Sequence, residues 1–259
     1  MKTVLTIDEL TPVEFCEKEG IWVKHDDYFK ICGVAGGKAR SAYQVIQELL
    51  AEGYTTIVTA GSRQSPQCEI VSYICEELGI NCVVFMPFGG DTSVIQHLKQ
   101  NSRTKLERVR PGYNNIIVAR AREYATLMHY GYVPFGMECA ANVEITSKQV
   151  VNIPKEVKRI VMPVGSGMSF SSVITGMTRN DIYKPILGVR VGKDPMKIIS
   201  EYAEGLQLHD YQIVESFLDY HDPVEAFVGD YQLDPIYEAK CRPFLQEGDL
   251  LWVVGRRLL

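Results

Sequence analysis

A lysine set behind flexible glycines is the first feature of this chain that reads as chemistry. Gly33-Val-Ala-Gly-Gly-Lys38 leads into Ala39-Arg40-Ser41 and a stretch with helical apolar spacing to Ala51. It is not a phosphate-binding P-loop, which needs Gly where Cys32 stands and Ser or Thr where Ala39 stands. What remains is a lysine at the electropositive start of a helix, where an amine gives up its proton more readily. Glycines there allow a ligand close to the backbone. An unprotonated lysine attacks carbonyls and forms Schiff bases. Taken alone, the segment reads first as a surface lysine beside a turn. A second segment, Val161-Met-Pro-Val164 then Gly165-Ser166-Gly167-Met168-Ser169, reads as strand, tight turn and helix start. Backbone N–H groups in such a turn cradle an anion, and the hydroxyls of Ser166 and Ser169 suit a single phosphate. Phe170 stands where the dinucleotide fingerprint needs its last Gly. A third, Thr59-Ala-Gly61-Ser62-Arg-Gln64-Ser65-Pro66-Gln67, follows a strand and opens a helix. Its amides, with Ser62 and Ser65, suit a carboxylate; the plainer role for Ser65 is a helix N-cap. The fourth, Leu233-Asp-Pro-Ile-Tyr237-Glu238-Ala-Lys240, reads by itself as a turn into a helix.

The elements that must position these residues alternate along the chain. Residues 55–59 predict a buried strand, and 67–78 a helix with Ile70, Val71, Ile74 and Leu78 on one face and Gly79 as its cap. A strand is expected over 81–86, a helix over 91–100 capped by Asp91 or Thr92, and a longer helix over 114–130 closed by Gly131. Further strands are expected at 159–164, 185–190, 211–214 and 250–254, with helices running to Met177 and over 196–204. Strands alternating with helices predict an α/β fold with mostly parallel sheets.

The chain has 259 residues, enough for one large domain or two modest ones. Hydrophobic residues at 46% and charged ones at 23% exclude long disorder and collagen-like character. Seven cysteines with no C-x-x-C argue against a disulfide framework or structural zinc and for a reducing compartment. No apolar run approaches the roughly 20 residues that span a membrane. Asp8, Glu9 and Glu14 stand where a signal peptide needs an apolar stretch, so a cytoplasmic protein is expected. The net charge of −5 argues against a protein that is basic overall. The charge is uneven, however. Between His97 and Arg122 lie Lys99, Arg103, Lys105, Arg108, Arg110, Arg120 and Arg122 against Glu107 alone, a net +6 that leaves −11 elsewhere. This window reads as a solvated surface or as a patch for an anionic partner.

Together the four segments resemble the fold type II pyridoxal-phosphate enzymes, closest to the 1-aminocyclopropane-1-carboxylate deaminase and D-cysteine desulfhydrase family. Thr11-Pro-Val and Trp22-Val-Lys24-His-Asp-Asp27 look like the family's opening T-P and K-R-D-D. Gly36-Gly37-Lys38-Ala39-Arg40 is similar to G-N-K-x-R, and Thr59-Ala-Gly61 with Gln64-Ser65 to the substrate loop T-x-G-x-x-Q-S-N-H. Gly165 to Ser169 resembles the phosphate cradle G-S-G-G-T, and Asp234-Pro-Ile-Tyr237-Glu238-Ala-Lys240 the form D-P-V-Y-E-G-K. The resemblance implies pyridoxal 5′-phosphate as cofactor, joined to Lys38 as a Schiff base. It implies Gly165, Ser166, Gly167, Met168 and Ser169 at the phosphate, Gln64 and Ser65 at the substrate carboxylate, Tyr237 facing the substrate and Glu238 pairing with the pyridine nitrogen. A carboxylate there keeps that nitrogen protonated and favours carbanionic intermediates. The chain departs from the family at Pro66-Gln67, where Asn-His is usual and the Asn bonds the cofactor's phenolic oxygen; Gln67 is the available substitute. It also departs at Gly37, at Met168 and in the closing Val253-Val254-Gly255-Arg256-Arg257.

The implied architecture is two α/β domains with the cofactor between them: a small domain over 42–130, and a large one over 1–41 plus 131–259. The expected function is elimination or deamination of an amino acid, with Lys38 moving the proton, in a homodimer. One alternative is a decarboxylase or other lyase on an unusual or bulky amino acid, one linked to a nucleotide or nucleic acid and met by the Lys99–Arg122 window. Another is a protein that binds the cofactor without catalysis.

Overall fold

The computed structural model describes residues 6–110, 112 and 114–255, so Arg256 and Arg257 of the closing segment lie outside the described residues. The chain begins with β1 (Val13–Cys16), β2 (Ile21–His25) and a small hairpin of β3 (Lys30–Ile31) and β4 (Val34–Ala35). It continues through α1 (Gly37–Ala51), β5 (Thr56–Ala60), α2 (Pro66–Glu77), β6 (Asn81–Pro87) and α3 (Ser93–Gln100). β7 (Thr104–Val109), α4 (Asn114–Met128) and β8 (Gly131–Tyr132) complete the first half. Then follow α5 (Ala140–Ser147), β9 (Arg159–Val164), α6 (Met168–Arg179), β10 (Ile186–Arg190), α7 (Met196–Tyr202) and β11 (Tyr211–Glu215). The last elements are a hairpin of β12 (Phe227–Val228) and β13 (Tyr231–Gln232), a 3-10 turn over Glu238–Phe244, and β14 (Asp249–Val253). The expected strands and helices are present within a few residues. Thr92, not Asp91, caps α3, its hydroxyl accepting from Ile95 N.

The described chain divides into two compact units: Lys30–Ala141, and residues 6–29 with 142–255. In the first, four parallel strands run in the order β7-β6-β5-β8. Val58, Ala60, Val83 and Phe85 bury one face of the two central strands against Ile117 and Ala121 of α4. The edge strand β7 escapes sequence reading because Lys105, Glu107 and Arg108 interrupt its apolar pattern. Charged side chains of this kind discourage pairing at a free sheet edge. Part of the basic window is therefore an edge strand.

The second unit has a six-stranded sheet in the order β1-β2-β14-β9-β10-β11, parallel except for β1 against β2. Side chains alternate across β9: Ile160, Met162 and Val164 join Phe170, Ile174 and Trp252 on one face. Val161 joins Leu187, Leu251 and Val253 on the other. Both faces are covered, which is why these strands read as continuous apolar runs. β9 pairs with β14 only as far as Val161, whereas its pairing with β10 continues to Val164. Pro163, which has no N–H to give, stands where the β14 ladder has already ended. The chain order also reverses direction between β9 and β14, the position at which open parallel sheets bind ligands beyond their carboxyl ends.

The opening motif has a structural reason. Lys24 is fully buried, and its Nζ donates to Thr11 O at 2.8 Å and Asn152 Oδ1 at 2.7 Å. Gln149 Oε1 accepts from Thr11 N at 3.0 Å. These bonds tie the segment before β1 to the chain after α5. No helix among the described residues is long and apolar enough to cross a membrane.

Candidate active site

In the first unit, α1 begins at Gly37 behind Gly36, whose φ of +97° and ψ of 169° suit only glycine. Lys38 is thereby the second residue of the helix and half-buried. Beyond β5, Ser65 is a buried residue before α2, whose first position is Pro66. The Ser65 side chain makes no cap hydrogen bond; it pairs instead with the Cys68 thiol. Burial pushes that thiol up to about 12, while the Ser65 contact and the Lys38 charge pull the other way. Lys38 and Ser65 therefore address the same small region of this unit. Gln64 is exposed.

Gly61 makes room for this arrangement. A methyl there would lie 2.6 Å from Ser65 Cβ and Oγ and 2.7 Å from Cys68 Sγ. Gly61→Ala is expected to destabilise the protein by about 1–3 kcal/mol through overpacking and to displace Ser65. Denaturant unfolding checks the first effect. An unchanged unfolding midpoint would show that the turn can give way.

The structure corrects the expectation for Gln67. Its side chain is buried, with Nε2 donating to Pro134 O at 2.7 Å and Thr59 Oγ1 at 3.2 Å, and Oε1 accepting from Gly136 N at 2.8 Å. Both N–H donors of the amide are spent, so none is left for a phenolic oxygen. Gln67 instead pins the end of β5 to the chain after β8.

In the second unit, the turn after β9 carries the cradle. Gly167, at φ +102°, is the cap of α6, and a methyl on it would press within 3.2 Å of Pro195 O. Ser166 Oγ accepts from Met168 N at 3.4 Å, which shapes the turn. Met168 is buried and Ser169 is half-buried. The opening amides of a helix have no intrahelical acceptor, which suits this turn to an anion.

Tyr237 adjoins the cradle: a methyl on Gly165 would lie 3.2 Å from its Cε1. The turn at 234–238 is set by Asp234, whose Oδ1 accepts from the amides of Ile236 at 2.9 Å and Tyr237 at 3.0 Å. Glu238 follows at 1% exposure, with Oε1 accepting from Val254 N at 2.8 Å. Burial and the nearby Asp234 push its carboxyl up to about 8. Its Oε2 is buried with no hydrogen-bond partner. A buried carboxylate oxygen without a donor is costly.

Sequence reading missed the surroundings of this carboxyl. Tyr231 OH donates to Asp27 Oδ2 at 2.8 Å, and burial together with Asp27 and Glu238 pushes the phenol strongly up. His25, stacked on Tyr28 at 4.2 Å, has Nδ1 3.4 Å from Asp27 Oδ1. Asp27 lies in the opening motif, but nothing local to it signals a partner some 200 residues away.

The first unit thus holds a lysine at a helix start, and the second a glycine turn opening a helix and a buried carboxyl with one oxygen lacking a hydrogen-bond donor. The family model described as pyridoxal-phosphate dependent enzyme matches residues 5–224. The chain belongs to this family, and pyridoxal phosphate is its cofactor. It is 25% identical to "Putative 1-aminocyclopropane-1-carboxylate deaminase" of Thermotoga maritima, over 89% of this chain and 86% of the relative. It is 23% identical to "O-seryl-dTMP PLP-dependent decarboxylase" of Salmonella phage ViI, over 81% of this chain and 56% of the relative. The crystal structure of an ACC deaminase homologue superposes with a TM-score of 0.77 at 18% identity, covering 97% of this chain and 91% of that one. The fold is that of the type II pyridoxal-phosphate enzymes.

Proposed function

We propose that this enzyme acts on an amino acid by elimination or deamination. The observation that carries the reading is Glu238, a buried carboxyl with one oxygen lacking a donor in a family whose cofactor has a basic ring nitrogen. When bound, pyridoxal phosphate supplies an electron sink for charge released at the substrate α-carbon. The residues of this chain supply the rest. The Lys38 amine would hold the cofactor at its aldehyde carbon, and would take and return a proton at the substrate carbon. Ser65, with Gln64 beside it, holds the substrate carboxylate. The amides of Gly165 to Ser169 and the Ser166 and Ser169 hydroxyls hold the phosphate. Tyr237 faces the substrate. Glu238 holds a proton at the ring nitrogen and so deepens the sink.

The test is covalent and spectroscopic. Pyridoxal phosphate added to the protein should give a visible absorption band, and borohydride should then fix the cofactor to the peptide bearing Lys38. Labelling of another peptide, or no band, would remove the assignment. An amino-acid screen scored for ammonia and a 2-oxo acid tests the reaction. The phage relative supports a second reading, decarboxylation of an amino acid carried on a nucleotide, and carbon dioxide without ammonia would favour it.

A further inference from the structure

Two guanidinium groups of the first unit are held by the carbonyls of consecutive glycines, without a carboxylate partner among the described residues. Arg63 lies in the turn after β5, and Arg108 near the end of β7. Arg63 Nη1 donates to Gly90 O at 3.1 Å, and Arg108 Nη2 donates to Gly89 O at 2.7 Å. Thr92 Oγ1 donates to Arg63 O at 2.5 Å, tying the Arg63 turn to the start of α3. Gly89 has φ +149°, and a methyl on it would lie 2.7–2.9 Å from Nη1, Cζ and Nε of Arg63. Only glycine there lets the guanidinium rest against the chain. Arg108 Nε is buried and has no acceptor. Three other cations of the basic window are engaged: Lys99 with Asp91 at 2.6 Å, Lys105 with Glu107 at 2.5 Å, and Arg122 over the Tyr132 ring.

We propose that Arg63 and Arg108 form a subsite for a phosphate monoester carried on the substrate. The proposal rests on the reading above, in which the Ser65 turn takes the substrate carboxylate. Arg63 stands two residues before Ser65. Arg63, the glycine pair and Arg108 lie at the carboxyl ends of three adjacent parallel strands, where α/β sheets bind ligands. Two neighbouring monocations repel each other, and a dianion relieves this more fully than a carboxylate does. A guanidinium also presents paired donors that match two phosphate oxygens. Each arginine spends one donor group on a carbonyl, which aims it and leaves the remaining N–H groups for the ligand. Phe88, 57% exposed in the same loop, offers an aromatic face to a base.

The experiment titrates the pyridoxal-phosphate-loaded protein with a nucleoside 5′-monophosphate by calorimetry, with the nucleoside as control. Loading keeps the cofactor's own phosphate cradle filled. The monophosphate should bind saturably and the nucleoside far more weakly. Arg63→Ala and Arg108→Ala should each weaken binding by about 10-fold or more, with Arg63→Lys between. The cofactor band and melting temperature of the variants should match wild type. No binding, or equal binding by wild type and both alanine variants, overturns the proposal while the cofactor band stands. Failure of wild type to take up cofactor at all would show instead as a missing band, and would remove the reading beneath the proposal along with it.

Discussion

Lys38→Ala is expected to lower turnover by at least about 10³-fold, because one amine is asked for both covalent attachment and proton transfer. Gly36, in a backbone conformation that suits only glycine, starts α1 so that Lys38 is its second residue. The helix terminus there favours a neutral amine over an ammonium. Lys38 is the only lysine in the sequence between Lys30 and Lys99. The variant should still bind cofactor through the Gly165–Ser169 turn, with the absorption of the free aldehyde. Added methylamine should restore a small part of the activity, and Lys38→Arg should restore none. Turnover within tenfold of wild type would show that Lys38 has neither role.

Glu238→Gln carries the second large effect, and it runs in opposite directions for activity and stability. A glutamine keeps the shape and can still accept from Val254 N, but it cannot hold a proton on the ring nitrogen. Loss of one such preorganised charge costs about 10²–10³-fold in turnover. In the cofactor-free protein the same carboxyl is a burden. Its folded pKa, pushed up to about 8, lies above the ordinary value of 4.5. Between those limits the folded state binds more protons than the unfolded one, so stability falls as pH rises through the window. The loss across the window is on the order of 5 kcal/mol. Glu238→Gln removes this term, so its cofactor-free stability should stay nearly level while that of wild type declines. Denaturant unfolding at pH 5 and pH 8.5 reads the difference. Equal declines in the two proteins would place the titration on another group.

The local geometry of the candidate site was legible because its parts are local. Strand, glycine turn and helix start occur within a dozen residues around Gly165–Ser169, and Asp234 shapes the turn that presents Tyr237 and Glu238 through its own neighbours. Apolar spacing along α2 and along β9 likewise reflects which face is buried. The places where reading failed depend on distant partners. Gln67 looked available to the cofactor until Pro134 and Gly136, far along the chain, were seen to consume its amide. β7 looked like part of a charged surface because an edge strand needs charge more than alternation.

The sequence by itself determined the α/β alternation, the lysine behind its glycines, the glycine turn after β9 and the carboxyl at Glu238, since each is written in residues that touch their near neighbours. Only the tertiary structure decided what those groups experience. The parting of β9 from β14, the unpartnered oxygen of Glu238 and the bonds of Arg63 and Arg108 to Gly90 and Gly89 all join segments remote in the chain. Burial, charge and donor supply are summed over such neighbours in space, and no window of sequence contains that sum.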